Sequence, residues 1–169
     1  MRFVLIVTLF GFLLACNSQQ QQKNAADADM QIRVPSGLDV YPAFQQANSV
    51  QVLFYKDPFG ADSLRYYRFF TYLALADTNV LTNIKQALAA PITGMEQKNC
   101  RSEGKMYLLR GDEIVKTVYF NLQPGNCNHL YFIKDGNFYY LPVSDTLTHM
   151  LRQLKLQAKE PPSELKNPE

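Results

Sequence analysis

From residue 49 onward, apolar and polar positions recur with periods short enough to assign elements. The stretch SVQVLFYK, residues 49–56, is β-branched and aromatic and ends at the breaker DPFGADS, so it reads as a strand. RYYRFFTYLAL, residues 65–75, is aromatic enough for a second strand, although its Leu and Ala end would suit a helix. In DTNVLTNIKQALAAP, Leu81, Ile84 and Leu88 share one helical face, Asp77 or Thr78 supplies the N-cap, and Pro91 follows the end. GKMYLLRGDEIVKTVYFNL reads as two strands about a tight turn at Gly111-Asp112, a Gly-X pair suited to type II′. In HLYFIKDGNFYYLP, Asp135-Gly136 supplies the two positive-φ residues of a type I′ hairpin. SDTLTHMLRQLKLQAKEPP caps at Ser144 or Asp145, stripes Leu147, Leu151, Leu154 and Ala158, and stops at Pro161 and Pro162.

Strands joined by tight hairpins, rather than strand and helix in alternation, predict an α+β fold: an antiparallel sheet of about six strands with two helices packed on one face. Pairing across Asp135-Gly136 sets Lys134 against Asn137, Ile133 against Phe138, Phe132 against Tyr139 and Tyr131 against Tyr140. One face then holds Tyr131, Ile133, Phe138 and Tyr140, the other Leu130, Phe132, Tyr139 and Leu141. With both faces apolar, the hairpin is expected at the centre of the sheet, filling core. The alternative is that one face is an exposed aromatic binding surface.

The first residues follow a different pattern. Arg2 precedes an uncharged apolar run from Phe3 to Leu14, too short to span a bilayer comfortably and of the length of a cleaved secretory signal. The run ends in Leu13-Leu14-Ala15-Cys16, which resembles the bacterial lipobox. That resemblance implies cleavage before Cys16, a diacylglycerol on its thiol and acylation of the new amine. Several acyl chains at ~0.8 kcal/mol per buried CH₂ would make such an attachment permanent in practice. Residues 1–15 are thus expected to be a lipoprotein signal peptide.

Residues 16–48 are expected to be the lipidated cysteine and a flexible tether. The segment NSQQQQKNAADADMQ is polar and nearly free of large apolar side chains. A tether of that length spans about 30 Å root-mean-square. The single domain is expected over 49–160, with a loose tail over 161–169. The export signal that some surface lipoproteins carry after the cysteine is acidic, and glutamines stand there instead. The expected location is therefore the outer membrane of the cell envelope, on either side of it.

Composition narrows the class. The 169 residues are 47% hydrophobic and 19% charged, globular values for one domain. The formal charge of +2 is too small for nucleic-acid binding. The chain has ten Tyr and eleven Phe but no Trp.

Candidate chemistry is sparse. With Cys16 lipidated, Cys100 and Cys127 remain as an even pair in an exported domain, which predicts a disulfide. The competing arrangements are a zinc site drawing on Cys100, Cys127, His129 and His149, a thiol nucleophile with His129 as base, and two free thiols. No close ligand pair supports the zinc, and nothing in the sequence orients His129, so no metal and no catalytic residue are assigned. Arg110-Gly111-Asp112 resembles the adhesion triplet RGD, but an Arg110–Glu113 ion pair across the turn explains it. Asp62-Ser63-Leu64 and Asp145-Thr146-Leu147 match the short O-glycosylation sequon of Bacteroidota, making Ser63 and Thr146 candidate glycosylation sites. Phosphate-loop, nucleophile-elbow and cofactor motifs are missing, so no cofactor is expected.

Lipobox, glutamine tether, aromatic α+β domain and cysteine pair together resemble small uncharacterised lipoproteins of Bacteroidota, a resemblance that carries no activity with it. The function expected is a non-enzymatic binding or interaction domain, tethered to the membrane through Cys16, with a protein or glycan partner of unspecified identity. The alternative is a hydrolase of envelope or extracellular polymer.

Overall fold

The computed structural model describes residues 33–60, 69–94 and 100–162. Val34–Glu169 is one compact unit, distinct from Met1–Arg33. Its elements are a short helix α1 (Gly37–Val40), strands β1 (Ser49–Tyr55) and β2 (Phe70–Leu75), and helix α2 (Thr78–Leu88). Strands β3 (Gly104–Arg110), β4 (Glu113–Asn121), β5 (His129–Lys134) and β6 (Asn137–Pro142) and helix α3 (Asp145–Gln157) follow. The strands form one sheet in the order β2-β1-β3-β4-β5-β6, and every pairing is antiparallel. This is the α+β architecture read from the sequence. None of the helices among the described residues is long and apolar enough to cross a membrane.

Local chemistry accounts for the boundaries. The Asp77 carboxylate accepts from the backbone of Asn79 and Val80, capping α2, and the Ser144 hydroxyl accepts from Leu147 N–H, capping α3. Asp135 and Gly136 both have positive φ, as a type I′ turn requires, and the β5–β6 register is the one the dipeptide predicts. Gly111 alone is positive in the β3–β4 turn, where Arg110 and Glu113 form an ion pair at 2.7 Å.

The core lies between the helices and one face of the sheet. Val50, Val52, Phe54, Met106, Leu108, Val118, Phe120, Leu130, Phe132 and Leu141 meet Ile84, Leu88, Leu147 and Leu151, all essentially inaccessible. Gly104 lies where β1 and β4 converge: a Cβ there would come within 2.2 Å of the Leu53 carbonyl oxygen and 2.3 Å of the Phe120 ring.

Two expectations are corrected. Residues 34–48 do not belong to a tether. Ser36 and Asp39 form a capping box on α1, Ile92 N–H donates to the Pro35 carbonyl, and Phe44 is fully buried. The Phe44 ring meets Phe132 edge-on at 5.0 Å between centroids, so the domain begins near Val34. At the other end, Pro161 is buried and Lys159 bridges Tyr72 on the outer edge of β2, so order continues slightly past residue 160. Second, the β5–β6 hairpin is not central. β6 is an edge strand, touched on its outer side, among the described residues, by one bridge from Thr93 to Tyr140. Its apolar second face carries rings packed on one another, and no other element among the described residues forms a layer over it.

Candidate functional site

Because α2 and α3 pack on one face, the opposite face of the sheet is, among the described residues, composed almost wholly by strand alternation. A single cross-strand row runs Tyr72, Leu53, Lys105, Tyr119, Tyr131, Tyr140, one residue from each strand. Tyr107, Ile133 and Phe138 flank it. The tyrosines are half-buried and Phe138 is 55% exposed. At one corner Leu53, Tyr55 and Phe70 are buried, with Tyr72 and Tyr107 packed against them.

The rings support each other. Tyr119 and Tyr131 stack at 4.8 Å with 11° between planes, Tyr131 lies 5.5 Å from Tyr140, and Phe138 stacks on Tyr140 at 6.4 Å. The Lys105 ammonium sits 4.8 Å from the Tyr107 ring centre. Stacking spends one face of each ring on a neighbour, and the Tyr131 hydroxyl is engaged as well, by Ser102.

One end of this face is built differently. Cys100 and Cys127 form a disulfide with 5.5 Å between α-carbons, joining the approach to β3 with the approach to β5. Asn121 Nδ2 donates to the Arg101 carbonyl, while Gln123 N–H donates to Asn121 Oδ1 at 2.8 Å. The Ser102 hydroxyl and Tyr131 hydroxyl share a hydrogen bond at 2.8 Å. Between Asn121 and Tyr131 sits His129, paired in register with Asn121 and only 3% exposed. Its ring packs edge-on against Tyr140 at 5.3 Å. Its Nδ1 is buried without a hydrogen-bond partner. Burial pushes the imidazole below the ordinary histidine pKa, against a smaller raising effect from the backbone of Asn126 and Cys127.

The pairing of Cys100 with Cys127 takes both sulfurs out of the zinc and thiol-nucleophile arrangements. His149 is exposed on α3, on the helical side of the sheet, and is not brought to His129. The described residues contain no group of three or more His, Cys, Asp or Glu placed to hold a metal ion. Thr146 is exposed in the first turn of α3 and, with Asn83, Gln86 and Ser144, borders an open cavity of about 450 Å³ beside α2. Cys16 and Ser63 lie outside the described residues.

Sequence reasoning missed the polar set Ser102, Asn121 and Tyr131. No motif marks it, because its members come from three segments joined only by pairing and the disulfide. No known protein family, no curated protein and no solved structure matches this chain.

Proposed function

We propose that this chain is a cell-envelope lipoprotein, held at the outer membrane by lipid on Cys16, whose folded unit is a non-enzymatic binding domain. The supporting observation is the six-strand row on the face opposite the core, where tyrosine is the dominant residue and no helix of the described residues is packed. Tyrosine offers large rigid contact area, loses little side-chain freedom on binding, and keeps a hydroxyl for hydrogen bonding, which is why it concentrates at recognition surfaces. Because Tyr119 and Tyr131 each spend a ring face on the other, the surface offers ring edges more than flat rings. That favours a protein partner over a sugar ring that would stack.

Position-specific photo-crosslinking in intact cells tests this reading. A crosslinker replacing Tyr107, on the open face, is expected to trap one discrete envelope protein that Tyr119→Ser and Tyr131→Ser variants lose. A crosslinker at exposed Leu156, on α3, should not trap it. Equal capture from both positions, or capture indifferent to the two tyrosines, would overturn the reading. The anchor is tested separately. Cys16→Ala should shift the protein from the membrane to the soluble fraction, and full retention at the membrane would remove the lipid from the account.

A further inference from the structure

We infer that the Cys100–Cys127 disulfide is a redox-sensitive latch: it holds residues 100–102 against the Asn121–His129–Tyr131 corner, and its reduction lets that corner open to water while the rest of the sheet stays folded. The inference concerns the corner itself and stands whether or not the tyrosine face binds a partner.

Two independent features carry it. The first is where the latch is attached. Arg101 and Ser102 are fixed to the two neighbours of His129 on that face, through Asn121 Nδ2 to the Arg101 carbonyl and through the Ser102–Tyr131 hydroxyl pair. The same segment ends in the disulfide, whose other half precedes His129 by two residues. One covalent bond therefore ties both flanks of the histidine together.

The second is what lies beneath. His129 Nδ1 is buried and makes no hydrogen bond of good geometry. The backbone of Asn126 and Cys127 lies near enough to raise the imidazole pKa but only partly offsets burial, and so poorly paired a nitrogen is costly where water cannot reach it. Opening the corner supplies that water, so the imidazole favours the open arrangement and the bond opposes it. The groups facing His129 are the Tyr131 and Tyr140 rings, the Asn121 side chain across the strand pair and the backbone of Asn126 and Cys127. No described ion pair involves it.

The chemical step is ordinary thiol–disulfide exchange. A dithiol reductant attacks one sulfur as the thiolate, forming a mixed disulfide. Its second thiol then closes the ring and leaves two cysteine thiols, with two electrons and two protons transferred in all. Cys100 and Cys127 are each half-buried and lie outside the hydrophobic core.

The test compares the full chain before and after reduction with dithiothreitol. With the disulfide intact, the amides of residues 101–103 and 121–123 are expected to exchange slowly. After reduction their exchange should rise at least tenfold while the central residues of β1 and β3 keep their protection. The proton resonances of the His129 ring, with exposed His149 as the second histidine for reference, should titrate at higher pH once the bond is cut. Ser102→Ala with the disulfide intact should leave His129 protected, since the covalent tie remains. An unchanged His129 midpoint and unchanged exchange after reduction would overturn the latch. Loss of protection across the whole sheet would overturn it too, because the bond would then be holding the fold and not a corner.

Discussion

At the residue scale, His129 makes the domain sensitive to acid. In the unfolded chain its imidazole takes a proton near pH 6.5, whereas in the folded chain burial holds the value lower. The unfolded state therefore binds the proton first as pH falls. His129's contribution to stability is whole above about 6.5, declines as pH drops toward the folded value, and is constant below it. Denaturant midpoints for the parent and His129→Phe, measured from pH 8 to pH 5, should diverge in favour of the variant below about 6.5. Parallel curves would mean the imidazole is not held neutral. Phe44 gives a second test at this scale. It is fully buried against Phe132, so Phe44→Ala should cost about 3–5 kcal/mol in equilibrium unfolding. A cost under about 1 kcal/mol would return residues 34–48 to the tether, because an exposed apolar side chain contributes little.

At the scale of elements, the pieces that could be read ahead of the structure are those whose information is local. Asp135-Gly136 fixed the register of β5 on β6 because the turn needs two positive-φ residues and few dipeptides supply them. The caps of α2 and α3 were legible for the same reason, a carboxylate or hydroxyl just ahead of a helical stripe. What could not be read was position in the sheet. The β5–β6 hairpin is apolar on both faces, which sequence logic assigns to the centre, yet chain order leaves β6 outermost. The helix at Gly37 carried a legible sign in Ser36 and Asp39, three residues apart, but the polar run before it hid the element. Gly104 belongs to this scale as well. It permits β3 to pass under the Phe120 ring, and Gly104→Ala should cost about 1–3 kcal/mol by overpacking, with the loss seen in thermal or urea unfolding. Neutrality there would show that the β1 backbone at Leu53 and the Phe120 ring both give way freely.

At the scale of the molecule, the disulfide joins two segments 27 residues apart in sequence. On chain-entropy grounds a loop of that size is worth about 3–4 kcal/mol. Replacing Cys100 and Cys127 together by Ser should lower stability by up to that amount while the unfolded, unreduced parent shows no free thiol from either residue. Two titratable thiols would remove the bond from the fold. This pairing was legible from cysteine parity together with the expectation of export, whereas the corner beside it was not. Ser102, Asn121 and Tyr131 lie on separate segments, and their meeting depends on how β4 pairs with β5.

The tyrosine row also has an optical consequence. The chain has no tryptophan, so its near-ultraviolet absorption and emission arise chiefly from tyrosine. Tyr119 and Tyr131, nearly parallel at 4.8 Å, are close enough for their transitions to couple, with Tyr140 next in line at 5.5 Å from Tyr131. Excitation absorbed by one phenol migrates among its neighbours, and fixed coupled rings give a circular-dichroism signal that free tyrosine lacks. Any molecule that settles on this face, or any movement of Tyr131 when its hydroxyl leaves Ser102, changes that signal with no dye attached.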